Sequence, residues 1–132
     1  MTIQLEKNRL TPEDYTALRP DIPYAVAARA IRGSSLTLRA VADGQVIGML
    51  RALCDGAMFC YFHDVFVSQP WRRRGVGRAM LTEALAQFQS ALAPGEYLVV
   101  TALAEPGREG FYQACGFAPA QDGCAMQGIL QG

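Results

Sequence analysis

One lysine, one histidine and one tryptophan occur in 132 residues, and the formal net charge is zero, with 12 basic and 12 acidic side chains. The missing charge excess argues against a protein that binds nucleic acid by neutralising many phosphates. No apolar run approaches the length of a bilayer span. The N-terminal Met1-Thr2-Ile3-Gln4-Leu5-Glu6-Lys7 lacks the hydrophobic stretch of a signal peptide. The four cysteines, Cys54, Cys60, Cys115 and Cys124, form neither a zinc spacing nor a C-x-x-C pair, so no metal site is expected. These features point to a reducing, cytoplasmic setting, with the cysteines serving as small core residues. No internal repeat or low-complexity tract stands out.

Half of the residues are hydrophobic, enough to bury a core, and residues 1–132 fit one domain. Ile3 and Leu5 alternate with polar neighbours and predict a short strand. Thr11-Pro12-Glu13-Asp14 has a capping residue, an N1 proline and acids for the positive end of the helix dipole. A second helix is expected over Tyr24–Ile31, closed by Gly33. From Leu36 the period changes to that of strands. Asp43-Gly44 and Asp55-Gly56 separate three such runs, so residues 36–67 predict an antiparallel meander. Leu81, Leu85, Phe88 and Leu92 recur at helical spacing after Gly75. Tyr97–Leu103 is apolar with little alternation, as a central strand covered on both faces would be. A short helix near Arg108–Ala114, ended by Gly116, and a last strand near Ala125–Ile129 complete the pattern. The expectation is an α/β (mixed α+β) domain, with one mixed sheet packed by helices.

The basic charge is unevenly spread. Arg72, Arg73, Arg74 and Arg78 fall within seven positions, and Gly75 and Gly77 flank Val76 between them. The segment lies between a strand and an amphipathic helix. Open N–H groups at a helix N-terminus attract anions, glycine allows close approach, and arginine forks match phosphate oxygens. A solvated basic turn is the plainer alternative. Neither a P-loop nor a G-x-G-x-x-G spacing is present.

The segment Asp64–Val67 followed by Arg72-Arg73-Arg74-Gly75-Val76-Gly77 resembles motif A of the GNAT acyltransferase superfamily. Phe111-Tyr112-Gln113-Ala114-Cys115-Gly116-Phe117 resembles its motif B. The element order of the whole chain is similar to that of small bacterial members. The resemblance implies a central, mostly antiparallel mixed sheet flanked by about four helices. It also implies acetyl-CoA as the acyl donor and cosubstrate. Backbone groups of Phe66 and Val67 would hold the pantetheine arm by strand-like bonding. The pyrophosphate would rest on the loop formed by Arg72, Arg73, Arg74, Gly75, Val76, Gly77 and Arg78.

In the resemblance Tyr112 is the general acid beside the CoA sulfur; from the Phe111-Tyr112 pair alone, a core aromatic with its hydroxyl tied to a carbonyl is the preferred reading. Three groups are candidates for the amine's base. Asp64 and His63 lie on the strand entering the loop, and Glu105 precedes the last helix, where many relatives carry asparagine. Asp64 could instead anchor the turn, and His63 could simply be exposed. Cys115 has no nearby histidine to activate it, which favours direct transfer over an acyl-cysteine. Trp71 either covers a ligand or anchors the turn. Arg51 and Asp55 suggest an ion pair that fixes their turn, with contact to the substrate as the alternative. By position, Tyr15, Tyr24 and Arg29 are candidates for the acceptor pocket.

The expected activity is acetyl transfer to a primary amine of a small molecule or peptide, in a ternary complex. A non-catalytic acyl-CoA-binding sensor is the alternative. Neither nucleic acid nor membrane is an expected partner, and relatives suggest a homodimer through the segment after Phe117.

Overall fold

The computed structural model describes residues 2–132. Strand β1 (Gln4–Lys7) leads to helices α1 (Pro12–Leu18) and α2 (Tyr24–Arg32). Strands β2 (Leu36–Ala42), β3 (Gln45–Cys54) and β4 (Phe59–Val67) follow, then α3 (Val76–Ser90), β5 (Val99–Ala102) and α4 (Glu109–Ala114). The five strands lie in the order β1-β2-β3-β4-β5. Neighbours are antiparallel through β4, and β4–β5 is parallel. The mixed, mostly antiparallel sheet and its four helices are those expected.

Local chemistry accounts for the boundaries. The Thr11 hydroxyl accepts the Asp14 N–H at 3.1 Å, and the Asp14 carboxylate accepts the Thr11 N–H at 3.0 Å, a reciprocal cap that starts α1. Asp43 and Gly44 both have positive φ, 51° and 73°, as a two-residue hairpin that matches the strand twist requires. Between β3 and β4, Asp55 Oδ1 accepts the N–H groups of Ala57, Met58 and Phe59 at 2.8–3.0 Å. This is what holds Asp55. Its expected ion pair with Arg51 does not form, because Arg51 points to Asp64 instead.

Each sheet face has its own core. Leu36, Leu38, Ile47, Leu50 and Phe62 meet Val76, Met80, Leu81 and Ala84 of α3 on one face. Leu10, Tyr15, Ala27 and Met49 form the other core under α1 and α2. Leu85 and Phe88 pack against the first core as their spacing predicts, whereas Leu92 lies beyond the end of α3.

Two expected strands also fail. Tyr97–Leu103 is not a central strand. Only Val99–Ala102 pairs, and it does so at the sheet edge, with Tyr97, Val99 and Leu103 exposed. The run was apolar for another reason: Leu98, Val100 and Ala102 cover the core on one side only. The strand expected over Ala125–Ile129 is also absent, and residues 118–132 are exposed without regular structure. Gly123 and Gly128 weaken strand formation there, and no neighbouring strand pairs with the segment.

Candidate functional site

The site begins with an irregularity in β4. Arg51 pairs with His63 and Met49 with Phe66, so three steps on β4 match two on β3. The extra residue makes a bulge, and Asp64 within it has φ 51°. A bulge bends a strand and re-aims its side chains. Cys60 and Phe62 before it, and Val65 and Val67 after it, all contribute to the same core.

Pairing with β5 stops just before this point, at Phe62↔Ala102. β4 continues for five more residues without a partner on that side. The gap opens into a cleft of about 770 Å³. Its walls are residues 62–67 of β4, Leu103, Glu105, Gly107 and Arg108 after β5, and Phe111 and Tyr112 of α4. The start of α3 closes one end.

The chemistry of that end suits an anion. Arg73 and Gly75 have φ of 63° and 83°, which turn the chain into α3. No side chain caps this helix among the described residues. Its first bond is Ala79 N–H to Gly75 O at 3.0 Å, so the N–H groups of Val76, Gly77 and Arg78 are left for a ligand or water. Arg73, Gly75, Val76, Gly77 and Arg78 all line the cleft, and so does Arg108, which the sequence reading did not single out.

The other expected cofactor residues divide. Phe66 and Val67 line the cleft, but the Val67 carbonyl already accepts Arg72 Nε at 2.9 Å, and that guanidinium lies 5.5 Å from the Phe66 ring centre. Arg72 therefore braces the strand end as well as lining the cleft. Arg74 does not line it. Its guanidinium stacks 5.1 Å over Trp71, whose indole packs on the core. Gly77 has a second use, since a Cβ there would lie 3.2 Å from the Phe111 ring. Its absence lets α4 seat against α3.

Tyr112 stands in the cleft wall, held edge-on by Phe111 at 5.0 Å and Phe117 at 5.6 Å. Burial pushes its pKa up. The side chain is thus a neutral phenol near pH 7, able to donate a proton or a hydrogen bond. Burial likewise raises the pKa of Cys115, which disfavours the thiolate that an acyl-cysteine route needs.

Asp64 is differently placed from what a free base requires. Its side chain is 1% exposed. It accepts Tyr15 Oη at 2.7 Å, Arg51 Nε at 2.8 Å and Arg19 Nη1 at 3.1 Å. Burial alone would raise its pKa. The Tyr15 hydrogen bond and the Arg51 guanidinium outweigh that and hold it below the usual carboxylate range. The same contact, after burial, pushes Tyr15 up to about 12. An ionised carboxylate with three donors is an anchor between β4 and α1, not an available proton acceptor.

Two other groups face the opening. Glu105 is exposed on the cleft wall. The His63 side chain is 46% exposed, with Nδ1 3.1 Å from Tyr61 Oη and Nε2 3.7 Å from Asp64 Oδ1. From the first two helices Arg19 reaches the wall. Tyr15 is buried and Tyr24 bonds Glu13 at the surface. Neither they nor Arg29 line the cleft. Among the described residues, no cluster of three or more metal-ligating side chains occurs.

A mixed sheet that splits beside an uncapped helix N-terminus, with a phenol on the wall of the split, defines an acyltransferase class of α/β fold. The Acetyltransferase (GNAT) domain description matches residues 33–119, and the chain belongs to this family. It is 26% identical over 98 residues to the uncharacterized N-acetyltransferase ycf52 of Pyropia yezoensis, covering 71% of this chain and 54% of that one. The chain thus spans about half the length of that curated relative. The fold is similar to a GNAT-family acetyltransferase from Streptococcus pneumoniae TIGR4, with TM-score 0.82, 24% identity and coverage of 99% and 100%. It is also similar to the aminoglycoside N-acetyltransferase AAC(6')-Iy, in its complex with the bisubstrate analog CoA-S-monomethyl-acetylneamine, with TM-score 0.71, 18% identity and coverage of 98% and 100%.

Proposed function

We propose that the protein transfers an acetyl group from acetyl-CoA to a primary amine of a small molecule or peptide, by direct attack in a ternary complex. The observation that carries this is the continuity of the cleft. Unbonded N–H groups at the start of α3 lie at one end, the unpaired edge of β4 runs along it, and Tyr112 stands on its wall. An amide-rich thioester with a pyrophosphate matches that order. The pyrophosphate would meet the N–H groups of Val76, Gly77 and Arg78, with Arg73, Arg78 and Arg108 around it. The pantetheine amides would bond the open edge of β4 near Phe66 and Val67.

The chemistry is acyl transfer from sulfur to nitrogen. The amine nitrogen attacks the thioester carbonyl carbon, a C–N bond forms and the C–S bond breaks. The departing sulfur takes its proton from Tyr112. The related structure with a molecule that joins CoA to an aminoglycoside supports direct transfer by analogy. A second copy of the chain and a reducing, cytoplasmic setting belong to the same proposal. The free thiols at Cys54, Cys60, Cys115 and Cys124 suit that setting.

Calorimetry of acetyl-CoA with the wild type and Arg73→Ala/Arg78→Ala tests the proposal. The double change should weaken binding at least ~10-fold, since charge-assisted bonds contribute about 1.5–3 kcal/mol each. A wild type that does not bind acetyl-CoA would refute the transferase function. Tight binding with no thiol release across a broad amine panel would favour the sensor instead.

A further inference from the structure

The engagement of Asp64 leaves the amine without a base on that residue, and the geometry of its neighbour fills the gap. We propose, building on the transferase function above, that His63 Nε2 takes the proton from the acceptor's ammonium group. His63 lies four residues before Val67 on β4, about 13 Å along the strand from the anion-binding end. It borders the cleft where the strand pair has parted, and nearly half of its side chain is open to solvent. An acceptor entering from outside meets it there.

The two ring nitrogens have different surroundings. Nδ1 faces the Tyr61 hydroxyl at 3.1 Å, and the two rings lie 5.6 Å apart at 33°. With the proton on Nδ1 donated to Tyr61, Nε2 keeps a lone pair on a ring that lines the cleft. Nε2 itself lies 3.7 Å from Asp64 Oδ1. Asp64 cannot itself compete for the ammonium proton, since its oxygens accept Tyr15, Arg19 and Arg51. It is a fixed negative charge beside the ring.

The other charged groups near His63 are paired with one another. Arg51, its partner across β3, and Arg19, at the end of α1, both bond Asp64, and Arg19 also pairs with Asp21 at 2.8 Å. Two cations thus face two carboxylates. Glu105, across the cleft, adds a further negative charge.

The proton balance closes. R–NH₃⁺ gives one proton to Nε2, which later releases it to solvent. The freed nitrogen lone pair forms the C–N bond. As the intermediate collapses, the C–S electron pair leaves with sulfur, which takes the Tyr112 proton. A second N–H proton restores the Tyr112 hydroxyl.

His63 is the only histidine in the chain, so its ring signals need no assignment. Long-range ¹H–¹⁵N spectra of the wild type should show the neutral ring protonated on Nδ1, and Tyr61→Phe should shift it toward the Nε2–H form. A wild-type ring protonated on Nε2 overturns the proposal, because no lone pair would remain for the amine. Kinetically, His63→Gln should bind acetyl-CoA as the wild type does. It should lose ~100-fold in transfer to benzylamine, which is cationic at neutral pH, and under ~3-fold with hydroxylamine, which is largely neutral. Equal losses with both acceptors, or none with either, overturn it as well. Failure of the transferase function itself would appear separately, as absent acetyl-CoA binding by the wild type.

Discussion

Asp64 shows how one residue's chemistry is set by its surroundings. As a buried carboxylate with a lowered pKa, it binds fewer protons folded than unfolded. Its contribution to stability is therefore complete above the ordinary carboxylate range and is lost as pH falls through and below it. Asp64→Asn should destabilise the fold by about 3 kcal/mol at neutral pH, because Arg19 and Arg51 would lose their partner. The difference in melting temperature between the two proteins should shrink in acid, which thermal scans from neutral pH to about pH 3 would show. A constant difference would mean that the carboxylate charge is not what stabilises. Tyr112 makes the complementary case. Its burial keeps it a phenol, so Tyr112→Phe should lower kcat by about 100-fold with little change in acetyl-CoA affinity. Single-turnover thiol release together with calorimetry separates the two effects. Tyr112 could be found from its local motif. The engagement of Asp64 could not, since Tyr15 and Arg19 lie 49 and 45 residues away.

At the scale of elements, the turn into α3 was legible because its signals are local: arginines, two glycines and an amphipathic run. Gly75 carries the conformational demand, with φ 83° and no atom within 4 Å of a would-be Cβ. Gly75→Ala therefore adds backbone strain and no clash. Left-handed geometry costs about 1–2 kcal/mol for an L-residue, partly offset by the less flexible unfolded chain. A net loss of about 1 kcal/mol should lower Tm by about 4 °C. An unchanged Tm would show that this turn relaxes freely. The bulge in β4 was not legible. His63-Asp64-Val65 reads as ordinary alternation, and only the register against Met49 and Arg51 reveals the extra residue. Arg108 was missed for a similar reason. Its place on the cleft wall goes with the seating of α4 over Gly77, a contact made through Phe111 and absent from any local pattern.

For the whole molecule, a neutral chain with five of its eleven arginines on one cleft leaves its exposed apolar groups elsewhere. β5 ends the sheet among the described residues, and its outer edge faces no strand. Such an edge is normally blunted by lysine, proline or an inward charge, and Val99–Ala102 has none. The chain beyond α4 carries the matching chemistry. Met126, Ile129 and Leu130 are 88%, 86% and 101% exposed, and Asp122 is the one charge between residues 118 and 132. Exposed apolar groups of this size point to an interaction. The misjudged strand over Ala125–Ile129 fits this account. Its composition was strand-like, but a strand needs a partner, and sequence periodicity cannot say whether the partner lies in the same chain. Sedimentation velocity at tens of micromolar should therefore show a dimer for the wild type. Ile129→Lys/Leu130→Lys should shift it to monomer without changing Tm by more than about 2 °C, since those side chains contribute nothing to the monomer's core. A wild type that sediments as a monomer at that concentration would show that the edge of β5 and the exposed segment do not meet between copies.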